Sequence, residues 1–164
     1  MNGRIITGGL IGFTLIFSIG LWYFQTRAYY YDVNDLSEIT AYGDAFPVSE
    51  YRGIDADTSP LKMRACFKVD WGYWPSEEFK DIAKPLKAPP QFECFNARQI
   101  SADLANGAAS AILAAENRPY GFDRFIAQYP DGRAYMWRQI NACGAAAFAG
   151  DPLPETCPPQ PEPE

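Results

Sequence analysis

The chain has 164 residues, 14 basic and 20 acidic side chains, a net charge of −6 and no histidine. The missing imidazole excludes Ser-His-Asp and Cys-His catalysis, histidine-ligated zinc, copper or haem, and a histidine pH switch. The acidic balance argues against a nucleic-acid partner, which needs a concentrated basic face.

Residues 5–24 read IITGGLIGFTLIFSIGLWYF, without one charged side chain, between Arg4 and Arg27. A helix of that length crosses a hydrocarbon core of about 30 Å. The pattern predicts a cytoplasmic amino-terminal segment, 1–4, and a transmembrane helix with its interfacial residues, 5–27. Ser18-Ile19-Gly20 imitates a signal-peptide cleavage site, but a cut there would leave Leu21 to Phe24 as an apolar stub, so an uncleaved anchor is expected. One arginine at each end leaves the positive-inside comparison tied. The terminal amine, the short amino end and the four cysteines tip the expectation toward a cytoplasmic amino terminus and a periplasmic domain at a bacterial inner membrane. Trp22, Tyr23, Phe24 and Tyr29 to Tyr31 suit the headgroup layer. Gly8, Gly12 and Gly20 form a small-residue face open to close approach, by a helix of a larger membrane complex or by lipid.

Residues 28–60 carry seven acids against Arg52 alone and hold Gly43, Pro47, Gly53 and Pro60. They read as an acidic linker. Asp55 to Ser59 resembles the start of a calcium loop, but Pro60 stands where glycine is required and Cys66 where glutamate is required. A turn before a strand is the expectation there.

Residues 61–144 are expected to form the folded domain. Leu61, Met63, Ala65, Phe67 and Val69 alternate with Lys62, Arg64, Cys66 and Lys68, the period of a half-buried strand. Residues 70–91 read as an irregular insertion in which Trp71, Tyr73 and Trp74 are a candidate docking surface or a cover for the core. Ser76 can cap a short turn through Phe79 and Ile82. FECF, 92–95, reads as a short strand. Asn96 caps a helix that Gly107 ends, and 108–115 reads as a buried strand. Pro130-Asp131-Gly132-Arg133 between two aromatic runs is a hairpin signal. Residues 145–164 read as a proline-rich acidic tail. The sum is an α+β protein: a single amino-terminal transmembrane helix, then a small antiparallel-sheet domain with at least one packed helix.

Cys66, Cys94, Cys143 and Cys157 contain no C-x-x-C pair and no zinc spacing. Two structural disulfides are expected. Three pairings are open, with Cys66–Cys94 and Cys143–Cys157 preferred. The first pair shares strand-like contexts, ACF and ECF, and the second bounds a short segment that nothing else fixes.

Several stretches together resemble an uncharacterised group of short alphaproteobacterial membrane-anchored proteins: IDADTSPLKMRACF (54–67), FECF (92–95), YGFDRFIAQYPDGRAYMWRQINACG (120–144) and a final CP (157–158), behind a hydrophobic anchor. The resemblance implies a periplasmic domain with paired cysteines and supplies no catalytic residue. Such sequences are sometimes labelled histidine kinases. This chain has no histidine, no nucleotide-binding pattern and no room for kinase domains.

No cofactor or metal ligand set is apparent. The leading expectation is a non-catalytic accessory subunit or assembly factor of a membrane complex, a respiratory electron-transfer complex among the hosts. The acidic flanks would attract a basic soluble carrier such as a cytochrome c. The alternative is an anchored ligand-binding or sensing module using Trp71, Tyr73, Trp74 and Tyr120. An enzyme with Asp123 and Asp131 as acid and base is the third and weakest reading.

Overall fold

The computed structural model describes residues 3–70, 72, 78–79 and 81–161. It divides into two compact units, Met1–Tyr30 and Tyr31–Glu164.

The first unit is helix α1, Gly3–Thr26. Its 24 residues span about 36 Å, long and apolar enough to cross a membrane. None of its residues is buried. The hydroxyls of Thr7, Thr14 and Thr26 donate to the carbonyls of Gly3, Leu10 and Trp22, at 2.7–3.0 Å. These three hydroxyls are thereby satisfied inside the helix, as a hydrocarbon surrounding requires. Just past its end, the Arg27 guanidinium lies 5.9 Å from the centre of the Trp22 ring.

The second unit is built on an antiparallel sheet. Its strands are β1 (Tyr31–Asn34), β2 (Glu38–Ala41), β3 (Asp44–Asp55), β4 (Arg64–Val69), β5 (Ser110–Ala115), β6 (Phe122–Gln128) and β7 (Arg133–Ile140). The order across the sheet is β1-β3-β4-β7-β6-β5, with β2 paired to the first part of β3. Helix α2, Ala97–Asn106, and helix α3, Ala142–Ala149, complete the unit.

The expected linker is therefore half of the sheet. Residues 31–55 form three strands, although their glycine, proline and acid content reads as loop. The cause is a bulge in β3. Ser49 pairs with Lys68 and Arg52 with Cys66, so β3 holds one residue more than β4 over that step. Glu50 takes the left-handed conformation, φ 53°, at this point. The extra residue resets the alternation, so that Val48 and Tyr51 both enter the core.

The sheet is covered on both faces. One face carries Ala65, Phe67, Ile126 and Met136 and is covered by Ile39 and Ala41 of β2. The other carries Phe125 and Trp137, stacked at 6.0 Å, and packs with Phe95, Ile100 and Leu104. The second face of β4 is accordingly not a solvent face. Arg64 is only 3% exposed; its guanidinium donates to the carbonyls of Leu61, Met63 and Leu86 at 2.5–2.9 Å.

FECF is a turn rather than a strand. Pro89 and Pro90 precede it, and the three-residue spacing of Phe92 and Phe95 lets both rings be buried. Helix α2 has the expected caps, with Asn96 accepting from the Gln99 N–H and Gly107 at φ 81°. The D-G hairpin is present, with Gly132 at φ 85°. The expected tail begins instead with α3, whose alanines carry high helix propensity and whose caps are Asn141 and Gly150. Both preferred disulfides, Cys66–Cys94 and Cys143–Cys157, are formed.

Candidate functional site

Two features of this chain are unexplained by the need to fold. The first is the glycine face of α1. Apart from the adjacent backbone of the helix itself, nothing lies within 4 Å of the point a Cβ would occupy on Gly8, Gly12 or Gly20. Gly8 and Gly12 are one turn apart and share a face of the helix.

The second is a pair of arginines. Arg124 of β6 and Arg138 of β7 are directly opposite in register. Like charges facing across strands destabilise a sheet, and both side chains are only partly exposed. Arg138 donates to Asp55 Oδ2 at 3.2 Å. Asp55 Oδ1 accepts from the Ala56 N–H at 2.8 Å, so both carboxylate oxygens are engaged. Arg124 donates to the Thr40 carbonyl at 2.7 Å and forms no ion pair among the described residues. The Nε atoms of both arginines are buried without a hydrogen-bond partner. Burial lowers the Arg124 pKa, and the neighbouring Arg138 charge lowers it further.

These groups line a cavity of about 240 Å³ between the β2 side of the sheet and its covering strands. Tyr51 lines it too, and burial followed by the nearby Asp55 charge raises its phenol pKa. Glu38 and Thr40 line it as well, and Val33, Ile39, Ile54, Met63 and Met136 form its apolar part.

Of the other residues singled out from the sequence, Tyr120, Asp123 and Asp131 each serve a separate structural contact. Trp71, Tyr73 and Trp74, like Ser76, lie outside the described residues. Tyr120 donates its hydroxyl to the Pro158 carbonyl at 3.1 Å. Asp123 accepts from the Asn117 N–H and from Asn141 Nδ2, both at 2.8 Å, and so braces the loop before β6 and the start of α3. Asp131 pairs with Arg133 at 2.7 Å in the hairpin turn, and that hydrogen bond lowers its pKa. Among the described residues no cluster of three metal-ligating side chains occurs.

Sequence reading missed the arginine pair, yet a signal existed. In a hairpin centred on Asp131, residues equidistant from it face one another, and Arg124 and Arg138 are such a pair.

Residues 34–158 match the model of a family of unknown function, DUF6446. The chain belongs to that family. No curated protein and no solved structure matches it. The matched span of this DUF6446 chain contains both disulfides and both arginines and leaves out α1.

Proposed function

We propose that this DUF6446 protein is a non-catalytic, single-pass accessory subunit or assembly factor of a bacterial inner-membrane complex. The amino terminus lies in the cytoplasm and the sheet domain in the periplasm. The observation that carries the reading is α1: an apolar helix with no buried residue and an open glycine face. Without a hydrophobic force between helices in lipid, small residues are what allow close helix packing. Two disulfides support an oxidising compartment for the domain. Respiratory electron-transfer complexes are the hosts we favour, and a basic soluble carrier such as a cytochrome c is the partner we favour for the domain. Asp32, Asp35, Asp44 and Asp57 are exposed for it. That association weakens with salt.

The test is purification from native membranes in mild detergent, with wild type and with Gly8→Leu/Gly12→Leu. Co-purifying membrane subunits should be lost in the variant while membrane insertion persists. A lone wild-type monomer in several mild detergents, or a variant that keeps its partners, overturns the reading.

A ligand-binding or sensing role is the second reading. The cavity beside Arg124 and Arg138 favours it, and it is compatible with the first.

A further inference from the structure

We propose that the cavity between Arg124 and Arg138 binds a small organic monocarboxylate. The inference concerns the sheet domain alone and does not depend on what α1 docks against.

Donors outnumber acceptors around the two arginines. Two guanidinium groups bring about ten N–H donors. The protein supplies one carbonyl to Arg124 and one carboxylate oxygen to Arg138. The Tyr51 hydroxyl, on the same cavity, adds a further donor with no acceptor among the described residues. The two Nε atoms are buried without a partner; such donors destabilise a fold, and a bound anion with two acceptor oxygens matches them.

Charge points the same way. Arg124 and Arg138 face one another across the two strands, and Asp55, paired with Arg138, is the partly buried counter-charge on the cavity. Glu38 also lines the cavity but is exposed to water, which screens its charge. One positive charge is left over, which a monoanion balances and a phosphate dianion exceeds.

The apolar part of the lining selects against an inorganic anion. Met63, Met136 and Ile54 would leave the outward oxygens of an inorganic anion against hydrocarbon. A carboxylate presents two oxygens in the geometry that a guanidinium fork matches, with an apolar body behind them. At about 240 Å³ the cavity is smaller than a drug-sized site, so a short acid fits.

Met63 and Met136 are two of only three methionines in the chain, and both line the cavity. The experiment therefore uses the full-length protein in detergent with ¹³C-methyl methionine, titrated with sodium butyrate. Butyramide is the neutral isostere, and sodium phosphate at matched ionic strength is the inorganic control. Butyrate should shift both methyl signals saturably, with a Kd of about 1 mM. Butyramide and phosphate should not. Arg124→Gln should weaken butyrate at least about tenfold, one lost charge-assisted contact. Arg124→Lys keeps the charge without the fork and should weaken it less, which serves if the glutamine variant fails to fold.

Four results overturn the proposal. They are no shift of either methyl at about 20 mM butyrate, twentyfold above the expected Kd; equal response to butyramide; equal response to phosphate; or unchanged butyrate binding by a folded Arg124 variant.

Discussion

Gly144, in the first turn of α3, rests its Cα on the backbone of Gly121, just before β6. A Cβ built on either residue would lie 2.7 Å from the other's Cα. The contact is locked by Asn141, whose N–H donates to the Gly121 carbonyl at 3.0 Å and whose side chain caps α3. Gly121 also takes φ 84°, so two independent reasons exclude a side chain there.

Gly144→Ala should accordingly lower unfolding free energy by about 2–3 kcal/mol, the cost of overpacking against backbone that cannot yield. Gly150→Ala is the comparison. It has φ 74° but open space around it, so only the left-handed penalty of about 1 kcal/mol applies. Urea denaturation of both variants checks the order; equal costs would mean that α3 moves aside freely.

The two disulfides should differ in what they hold. Their cysteines are 28 and 14 residues apart, which the chain-entropy model converts to about 3.5 and about 3 kcal/mol. Cys66–Cys94 also fixes the turn that buries Phe92 and Phe95, and Phe95 meets Trp137 edge-on at 6.3 Å. Cys66→Ala/Cys94→Ala should therefore alter the near-ultraviolet dichroism of the core tryptophan, whereas Cys143→Ala/Cys157→Ala should leave it in place. Unchanged spectra in both would show that the turn is held without its bond.

Alkali should loosen α2 from the sheet. Tyr129 donates to Asp103 Oδ2 at 2.6 Å. Burial, then this hydrogen bond, raises its pKa well above the ordinary 10.0. Below about pH 10 folded and unfolded states both hold the proton, and the contribution is complete. Above it the unfolded phenol ionises first, the folded state binds more protons, and stability falls as pH rises. Tyr129→Phe should cost about 1–2 kcal/mol at neutral pH and flatten the alkaline decline. Tyr51, also raised by burial, should leave a residual slope. Denaturant unfolding from about pH 8 to pH 11 measures both.

What could be read from the chain depended on whether the information was local. The D-G hairpin, the Asn96 and Gly107 caps and the long apolar helix each rest on adjacent residues, and each is present. The strands of 31–55 were hidden because the bulge at Glu50 breaks their period and because Gly53 and Pro47 read as breakers. Gly53 is needed there: a Cβ would lie 2.9 Å from the Tyr51 ring and 3.0 Å from the Val33 carbonyl. FECF misled because its two phenylalanines, three apart, are buried from a turn as readily as two residues alternating along a strand. The arginine pair belongs to tertiary register, and Asp55 reaches it from a strand 83 residues earlier in sequence than Arg138.

The Cys143–Cys157 bond closes α3 and the residues after it into a covalent ring. A protease that cuts inside the ring opens it without releasing a fragment, so the damage is visible on a gel only after reduction. Residues 151–156 on this ring are all exposed, and lengthening a closed loop twofold costs only about 0.6 kcal/mol. An affinity epitope inserted between Leu153 and Pro154 would be tethered at both ends, leaving α1 and the arginine cavity unaltered while their partners are sought.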